Sequence, residues 1–577
     1  MTARPLLCRR LVYLGLVLLL AALPLVLLWR ALAEGGWTVA EATVLALAAL
    51  IAPWVANLGA SAIIGFTVLV RAGDPLRTVW PEANLAEDAA IAIDTALVLC
   101  IRSEDTSAVL ARQRRLLGDL AARGLAGRFA LAVLSDTQDP AHAANEERAI
   151  EAFRATLPEG FRLLYRRRDF NDGFKAGNVM EFVRNRADGF EAMIVLDADS
   201  VMTAECVLRL VRLLQANPRV ALIQTLIVAR PAVSPFPRLF QFGMRHGMRT
   251  YAAGIAWWQG PDGPYWGHNA IIRINAFRDH AVLPTLPSGA RILSHDQVEA
   301  ALLRGAGWEV RLDPLEQGSY EENPPTLPDF LARDLRWMAG NLQYVALLRL
   351  PLFHFMGRLQ LLLAILLFLF APVVCAIAAL ALVNAHDAAP EGAVSAAHGV
   401  AATASFAVLF FAPKLLGALE VALRPAGLRA WGGGARFALS VVVEFVFYLV
   451  LLPVSATNQT AAMAGLAFGR RIGWAPQSRL DRAVPLADAM RALWWHTLIG
   501  TGLLVGFAAA STSALLWALP FVAGAVCAIP FSFATADPRL GRLLVRRGIC
   551  AVPEEFDSAS PFPPLAQRQS GQAVRAA

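Results

Sequence analysis

The sequence predicts a polytopic α-helical membrane protein of about eight spans with an inserted α/β domain built on a mostly parallel sheet. Three observations lead there. Charged residues make up 17% of the 577, against about 25% in an ordinary soluble domain, and 56% are hydrophobic. The charge deficit is uneven, because long apolar runs flank a stretch of ordinary composition from Arg71 to Leu350. Within that stretch, short apolar runs alternate with helix-patterned ones, which is the pattern of βαβ units.

A bilayer core about 30 Å thick takes roughly 20 apolar residues per helix. Leu11–Trp29 and Thr43–Val70 fit as a hairpin, with Arg4, Arg9 and Arg10 marking its cytoplasmic side. The length of the first run, the second run close behind it and the lack of a small-residue cleavage site argue against a cleaved signal peptide. Further spans read at Leu359–Val383, Val400–Leu423, Phe437–Pro453, Ala492–Ala510 and Ala514–Phe533. Asn384–Gly399 holds no Lys or Arg, which suits the outer side. Lys414, Arg424, Arg429 and Arg436, and later Arg539, Arg542, Arg546 and Arg547, mark inner segments. For Arg470, Arg471, Arg479, Arg482 and Arg491 also to lie inside, Val454–Phe468 must cross, re-enter or lie along the interface. Its Asn458, Gln459 and Thr460 make it a poor lipid-facing span and a candidate to line a watery channel. The organisation expected is a transmembrane hairpin over 1–70, a cytoplasmic domain over 71–350, a membrane bundle over 351–535 and a flexible cytoplasmic tail over 536–577.

The net charge of +7 follows this topology, with Arg clustered beside apolar segments. No basic stripe with interleaved aromatics speaks for nucleic acid. Six singly scattered cysteines exclude a CxxC zinc site or a disulfide framework.

In the middle of the chain, Thr95–Arg102, Phe129–Leu134, Phe161–Tyr165, Ala192–Leu196 and Val220–Leu226 read as strands. Ala108–Arg123, Asn145–Leu157 and Ala204–Ala216 read as helices between them. Ligands of such sheets sit outside the carboxyl ends of the strands, and the acids gather there. The first strand ends in Arg102-Ser103-Glu104-Asp105, the second in Ser135-Asp136-Thr137-Gln138-Asp139, the fourth in Asp197-Ala198-Asp199-Ser200. The chain has neither GxGxxG nor GxxxxGK[ST], which counts against dinucleotide and P-loop chemistry.

Asp197 and Asp199, at i and i+2 on an extended strand end, point the same way. Together they suit one hard divalent cation bridging a diphosphate; turn-forming acids after a strand are also common. In Ser294-His295-Asp296-Gln297, Asp296 stands before a helix-patterned run. It fits a general base that takes the proton of an attacking hydroxyl, and it equally fits an N-cap. Arg333, Arg336 and Trp337 share one helical face. There they offer guanidinium groups to a diphosphate and an indole to a sugar, or form a juxtamembrane basic patch. Lys175 suits a phosphate or a solvated turn. Trp257, Trp258, Tyr265 and Trp266 supply flat faces for sugar stacking, and His268 is placed with Trp266 in an acceptor pocket.

Taken together, these residues resemble the processive, inverting glycosyltransferases of family two, which include cellulose, chitin and hyaluronan synthases. The ordered set is Asp136, the DAD of Asp197–Asp199, the HD at Asp296, and an Arg-Trp helix before a span. The general pattern is varied at Ser294-His295-Asp296, at Arg333 and at Ser103-Glu104. The first two variants, with LDADSVM at Leu196–Met202, YWGHNAIIR at Tyr265–Arg273 and FAPKLLG at Phe411–Gly417, are similar to the branch that makes osmoregulated periplasmic glucans. The likeness runs from about Asp94 to His496, without the long terminal extensions of some members, which puts any role housed there in doubt.

The resemblance implies a glycosyltransferase A-type domain that passes glucose from UDP-glucose to a growing β-glucan, most simply with a β-1,2 backbone. It implies Asp296 as base, Asp199 helped by Asp197 as holder of Mg2+ or Mn2+, and Glu104, Asp136, Lys175, Asp197, Arg333 and Arg336 as donor contacts. Trp266, His268 and Trp337 would contact the acceptor. The chain would sit in a bacterial inner membrane with both termini cytoplasmic and export its product, with a periplasmic glucan-processing protein as a further partner. Synthesis of cellulose or a β-1,3-glucan is the nearest alternative, and a non-catalytic nucleotide-sugar sensor a more distant one.

Overall fold

The fold, seen in a computed structural model that describes residues 3–34, 36–387, 395–470, 481–563 and 565, is organised round two sheets. Their strands are β1 (Thr95–Ile101), β2 (Phe129–Ser135), β3 (Arg162–Arg167), β4 (Ala192–Asp197), β5 (Val201–Met202), β6 (Val220–Thr225), β7 (Val228–Ala229), β8 (Ala270–Arg273), β9 (Glu309–Asp313) and β10 (Ser319–Glu321). The larger sheet has the order β3-β2-β1-β4-β8-β6-β9, and the smaller β5-β10-β7. In the larger sheet only β8 is antiparallel, to both β4 and β6. The inner strands are continuous apolar runs because each is buried on both faces. The five strands read from sequence are present. The short β5, β7 and β10 carry too few residues for a period to show.

The helices that position the site are introduced in chain order. The N-terminal hairpin is α1 (Ala3–Ala33) and α2 (Val39–Arg71). Around the sheets lie α3 (Phe174–Asn185), α4 (Pro235–Gln259), α5 (Asp296–Gly305) and α6 (Leu327–Leu342). Beyond them come α7 (Phe355–Asp387), α8 (Ala396–Ala422), α9 (Gly434–Ala467), α10 (Leu486–Ala510), α11 (Thr512–Val526), α12 (Ala528–Thr535) and α13 (Pro538–Arg547). Among the described residues six helices, α1, α2 and α7 to α10, are long and apolar enough to cross a membrane. The α11–α12 pair, bent by 53°, makes a seventh if it counts as one span.

The expectation of about eight spans is therefore corrected. Phe437–Pro453 and Val454–Phe468 are not two segments but the single helix α9, which runs through Pro453. Its polar residues find partners without a break: Ser455 and Gln459 donate to Asp334 of α6, and Thr460 meets Cys375 of α7. The expectations that rest on 388–394, Arg471 and Arg479 fall outside the described residues.

Two contacts seat the sheets on the membrane helices. On one side, α4 crosses α2 at backbone distance. A Cβ on Gly65 would fall 1.7 Å from the Thr250 carbonyl oxygen, and one on Gly254 1.8 Å from that of Ser61. On the other, buried Asp262 accepts from Arg10 of α1 and from Arg304 of α5, and faces His354 just before α7.

The segment after α12 is a second correction. Residues 536–563 are not a loose tail but fold back on α4 and β10. Arg238, wholly buried, pairs with Glu555 at 2.9 Å. Arg245 pairs with Glu554, which also accepts from the Tyr320 hydroxyl at 2.9 Å. The physical reason is charge: two guanidinium groups sunk in α4 need carboxylates, because a buried ion without a partner is strongly disfavoured.

Candidate active site

The carboxyl ends of the parallel strands converge on one crevice. β4 ends at Asp197, whose backbone N–H donates to Ser200 Oγ at 2.9 Å, so the chain turns and buries Asp199. Lys175 enters from the first turn of α3, which starts after Gly173 in the left-handed region at φ 67°. Its ammonium pairs with Asp197 and donates to the Gly267 carbonyl at 2.7 Å. Gly267 has φ +89°, and a Cβ there would stand 3.7 Å from Asp296 Oδ2. Asp197, Lys175, Gly267 and Asp296 thus line one continuous site, assembled from segments well separated along the chain.

Asp296 is the first residue of α5 rather than its cap, a position held by His295. Its carboxylate is therefore not spent on the helix end, where the aligned peptide dipoles favour negative charge. Beside it, His295 Nδ1 lies 3.0 Å from Glu299, and the Tyr344 hydroxyl donates to the Ser294 carbonyl at 2.9 Å. These contacts hold the backbone that presents Asp296.

His268, which the sequence reading assigns to the acceptor, lies between Ser200 and Glu321. Its Nδ1 is 3.3 Å from Ser200 Oγ and its Nε2 3.3 Å from Glu321. Burial disfavours the charged imidazolium, but Asp197 and then Glu321 outweigh it and raise the pKa to about 9. Burial likewise works against the Lys175 ammonium, yet Asp197 holds it above its ordinary range. At neutral pH the crevice holds two cations beside its acids. The pairing of β4 with β8 forces this placement of His268, since the Asn269 N–H donates to the Val195 carbonyl at 2.7 Å.

The other residues that the sequence reading assigns to the donor have these surroundings. Glu104 accepts from the Arg102 N–H, and Ser103, at φ 60°, donates from its N–H to Thr137. Asp136 is buried and accepts from Arg168 Nε at 2.7 Å. Burial holds its carboxyl above the usual range, with Arg168 opposing. On α6, Arg333 is buried with its guanidinium 4.5 Å from the Trp337 ring centre. Burial lowers its pKa, and Glu321 and Asp199 are among the acids that oppose the shift. Arg336 follows one turn on. Trp337 is half exposed and is not part of the cavity wall described next.

From the crevice a cavity of about 460 Å3 opens between α2, α4, α7, α8 and α9. Trp266 and Gln297 stand at its crevice end, next in sequence to Gly267 and Asp296. Asn57, Gln259, Asn341 and Gln360 carry amides into its wall, and Trp54 and Tyr251 carry rings. The wall uses Tyr448 and Leu452 of α9, upstream of the Val454–Phe468 segment expected to line a channel. Sequence reading missed Arg168, Glu321, Ser200 and Gln297. The basic run Arg166–Arg168 was the one visible signal; the rest are ordinary residues until the fold sets them beside the acids.

A divalent cation suits the two aspartates. Hard oxygen donors at i and i+2 hold one ion and leave positions for diphosphate and water. No group of three or more His, Cys, Asp or Glu converges as a metal cage among the described residues. A cation would therefore be held jointly with substrate. Lys175 already places positive charge against Asp197.

Comparison with known proteins gives the family. A family model described as "Glycosyl transferase family group 2" matches residues 192–417, from β4 to the middle of α8. A mannosyltransferase from Pyrobaculum calidifontis, solved with GDP-Man and Mn2+, aligns with 63% of this chain and 98% of its own, at 15% identity and a TM-score of 0.38. The family model, with the relatives that follow, makes the class a family-two glycosyltransferase, here mounted on membrane helices.

The relatives are more specific. "Glucans biosynthesis glucosyltransferase H" of Rhodopseudomonas palustris is 37% identical over 92% of this chain and 75% of its own length. That of Xanthomonas campestris pv. campestris is 36% identical over 95% and 87%, and that of Caulobacter vibrioides 36% over 91% and 82%. The chain belongs to the glucans biosynthesis glucosyltransferase H family.

Proposed function

We propose that this enzyme transfers glucose from UDP-glucose to the end of a growing β-glucan with a β-1,2 backbone and passes the chain through the membrane. The observation that carries the reading is the adjacency of crevice and cavity: Gly267 and Asp296 face the former, and their neighbours Trp266 and Gln297 line the latter. An acceptor lying in the cavity would present its terminal hydroxyl at Asp296. A single-sugar transferase has no need of such a path.

In this reading Asp296 takes the proton of the acceptor hydroxyl as that oxygen attacks the anomeric carbon. One in-line displacement inverts the centre, and UDP leaves. Asp136, Glu104 and Arg168 border the nucleotide end. Arg333, Arg336, Lys175 and His268 bring positive charge to the diphosphate, so His268 moves from acceptor to donor side. Asp199, with Asp197, would hold Mg2+ or Mn2+, whose chemistry is to offset charge on the leaving diphosphate. Trp266 would stack on the acceptor sugar. The enzyme domain and both termini lie in the cytoplasm of a bacterium with an inner membrane, and a periplasmic glucan-processing protein receives the product.

The test is sugar transfer in inverted membrane vesicles offered labelled UDP-glucose, UDP-N-acetylglucosamine or GDP-mannose, with and without Mg2+. Metal-dependent polymer from UDP-glucose alone is expected, with β-1,2 linkages on analysis. Cellulose or β-1,3-glucan would keep the mechanism and change the product. Another preferred donor would overturn the glucose assignment.

A further inference from the structure

Lys414 sits in α8, on the wall of the cavity. The sequence reads it as a marker of an inner loop, but it lies two turns inside the helix, with its side chain largely buried. Its ammonium donates to Glu444 Oε1 of α9 at 2.6 Å and stands 3.5 Å from the centre of the Tyr448 ring. Glu444 is more deeply buried still, with 3% of its side chain exposed against 17% for Lys414.

The surroundings are shaped for this pair. On α4, a Cβ at Gly243 would meet Glu444 Oε1 at 1.7 Å and Lys414 Nζ at 2.6 Å, and a Cβ at Gly247 would meet the Lys414 side chain at 3.2 Å. A helix otherwise rich in large side chains gives up two of them where the ions lie. Folding alone does not ask for this, because an apolar pair of the same volume is often as stable as a buried ion pair or more so. Ionisable groups inside a membrane bundle generally mark a pathway.

The pathway is at hand. Lys414 and Tyr448 both line the cavity that opens from the crevice, while Glu444 stands behind the wall. Among the described residues lining that cavity, Lys414 alone is of the Lys, Arg, Asp or Glu type. An ammonium has three donors, and among the described residues Glu444 is its one hydrogen-bond acceptor. One side of the ammonium rests on the Tyr448 ring face, and a remaining N–H suits the hydroxyl oxygens of a polyhydroxylated ligand.

We propose that Lys414, held in place by Glu444, is a glycan-binding residue that grips hydroxyl groups of the growing chain inside the membrane. The inference rests on the reading of the cavity as the path of the product. Gripping the chain part-way along that path keeps it from sliding out between additions, so the residue would set product length.

The test replaces both ions, Lys414→Met with Glu444→Leu, which avoids stranding a charge and keeps the volume filled. A second variant, Lys414→Gln, keeps a neutral donor. Purified full-length enzyme in lipid vesicles is given UDP-glucose, and product length is compared at equal total glucose incorporated. The double variant is expected to release chains roughly tenfold shorter, from the loss of charged hydrogen bonds. Lys414→Gln should fall between it and the unaltered enzyme. Chains of unchanged length from a double variant that melts as the unaltered enzyme does would overturn this inference alone. If the unaltered enzyme makes no polymer, the functional reading falls, and this inference with it.

Discussion

Two lysine–carboxylate pairs, made of nearly the same atoms, do opposite work in this molecule. In the crevice, Lys175 and Asp197 keep 24% and 32% of their side chains exposed; in the membrane wall, Lys414 and Glu444 keep 17% and 3%. The first pair is the more exposed, and in the proposed function an ion or a phosphate would replace either partner there. In the second, Glu444 is shut behind the cavity wall while Lys414 faces the cavity, so Glu444 acts as a fixture for Lys414. What decides between exchangeable charge and fixed charge is access, not residue type.

That contrast can be broken or sharpened experimentally. The largest effect belongs to the crevice: Asp296→Asn should lower turnover by roughly 10²–10⁴, the range for a lost general base. Donor affinity, measured separately by UDP-glucose binding, should survive. Near-normal turnover in this variant would remove Asp296 from the chemistry.

In the wall, Gly243→Ala should destabilise the enzyme by about 1–3 kcal/mol, as overpacking does, because the new Cβ collides with the carboxylate of a fixed pair. An unchanged melting midpoint in detergent would show that Glu444 is free to move, and the contrast would fail. Lys175→Gln probes the exchangeable pair. It should tighten Mn2+ binding, read by calorimetry, by roughly tenfold, since the ion no longer competes with an ammonium for Asp197. Weakened Mn2+ binding would instead make Lys175 a support of the site.

The smallest effect is one of pH. His268 has a raised folded pKa, so its contribution to stability is complete below its unfolded value near 6.5 and is lost as pH rises through about 9. Glu321, lowered by its hydrogen bond to His268 after burial has opposed it, loses its contribution as pH falls below the ordinary glutamate range. The melting midpoint should therefore drop by roughly 2 °C between pH 7 and pH 10, and this drop should vanish in His268→Gln. An identical drop in that variant would assign it to other groups.

Much of this was written into the sequence in local form. Apolar runs long enough for a bilayer, βαβ alternation and acids after apolar strands are one-dimensional patterns, and each follows from the environment of a single element: lipid, a two-sided core, a strand end. Asp136, Asp197 and Asp199 stand out that way, whereas Asp296 stands before a helix and draws its role from the family resemblance. Other features depend on what lies across from a residue, about which neighbouring sequence carries no information. β8 enters the sheet antiparallel and so turns His268 toward Ser200 and Glu321. α9 continues through Pro453 because α6 and α7 satisfy its polar groups. The segment after α13 folds back because Arg238 and Arg245 are buried and need Glu555 and Glu554. Lys414 looks like a loop charge until α9 brings Glu444 to it. The sequence by itself determined which stretches meet lipid and which strand ends hold acids, since hydrophobicity and period act along the chain. Tertiary structure alone decided which charges are paired and which face the cavity, since electrostatic partners are chosen across space.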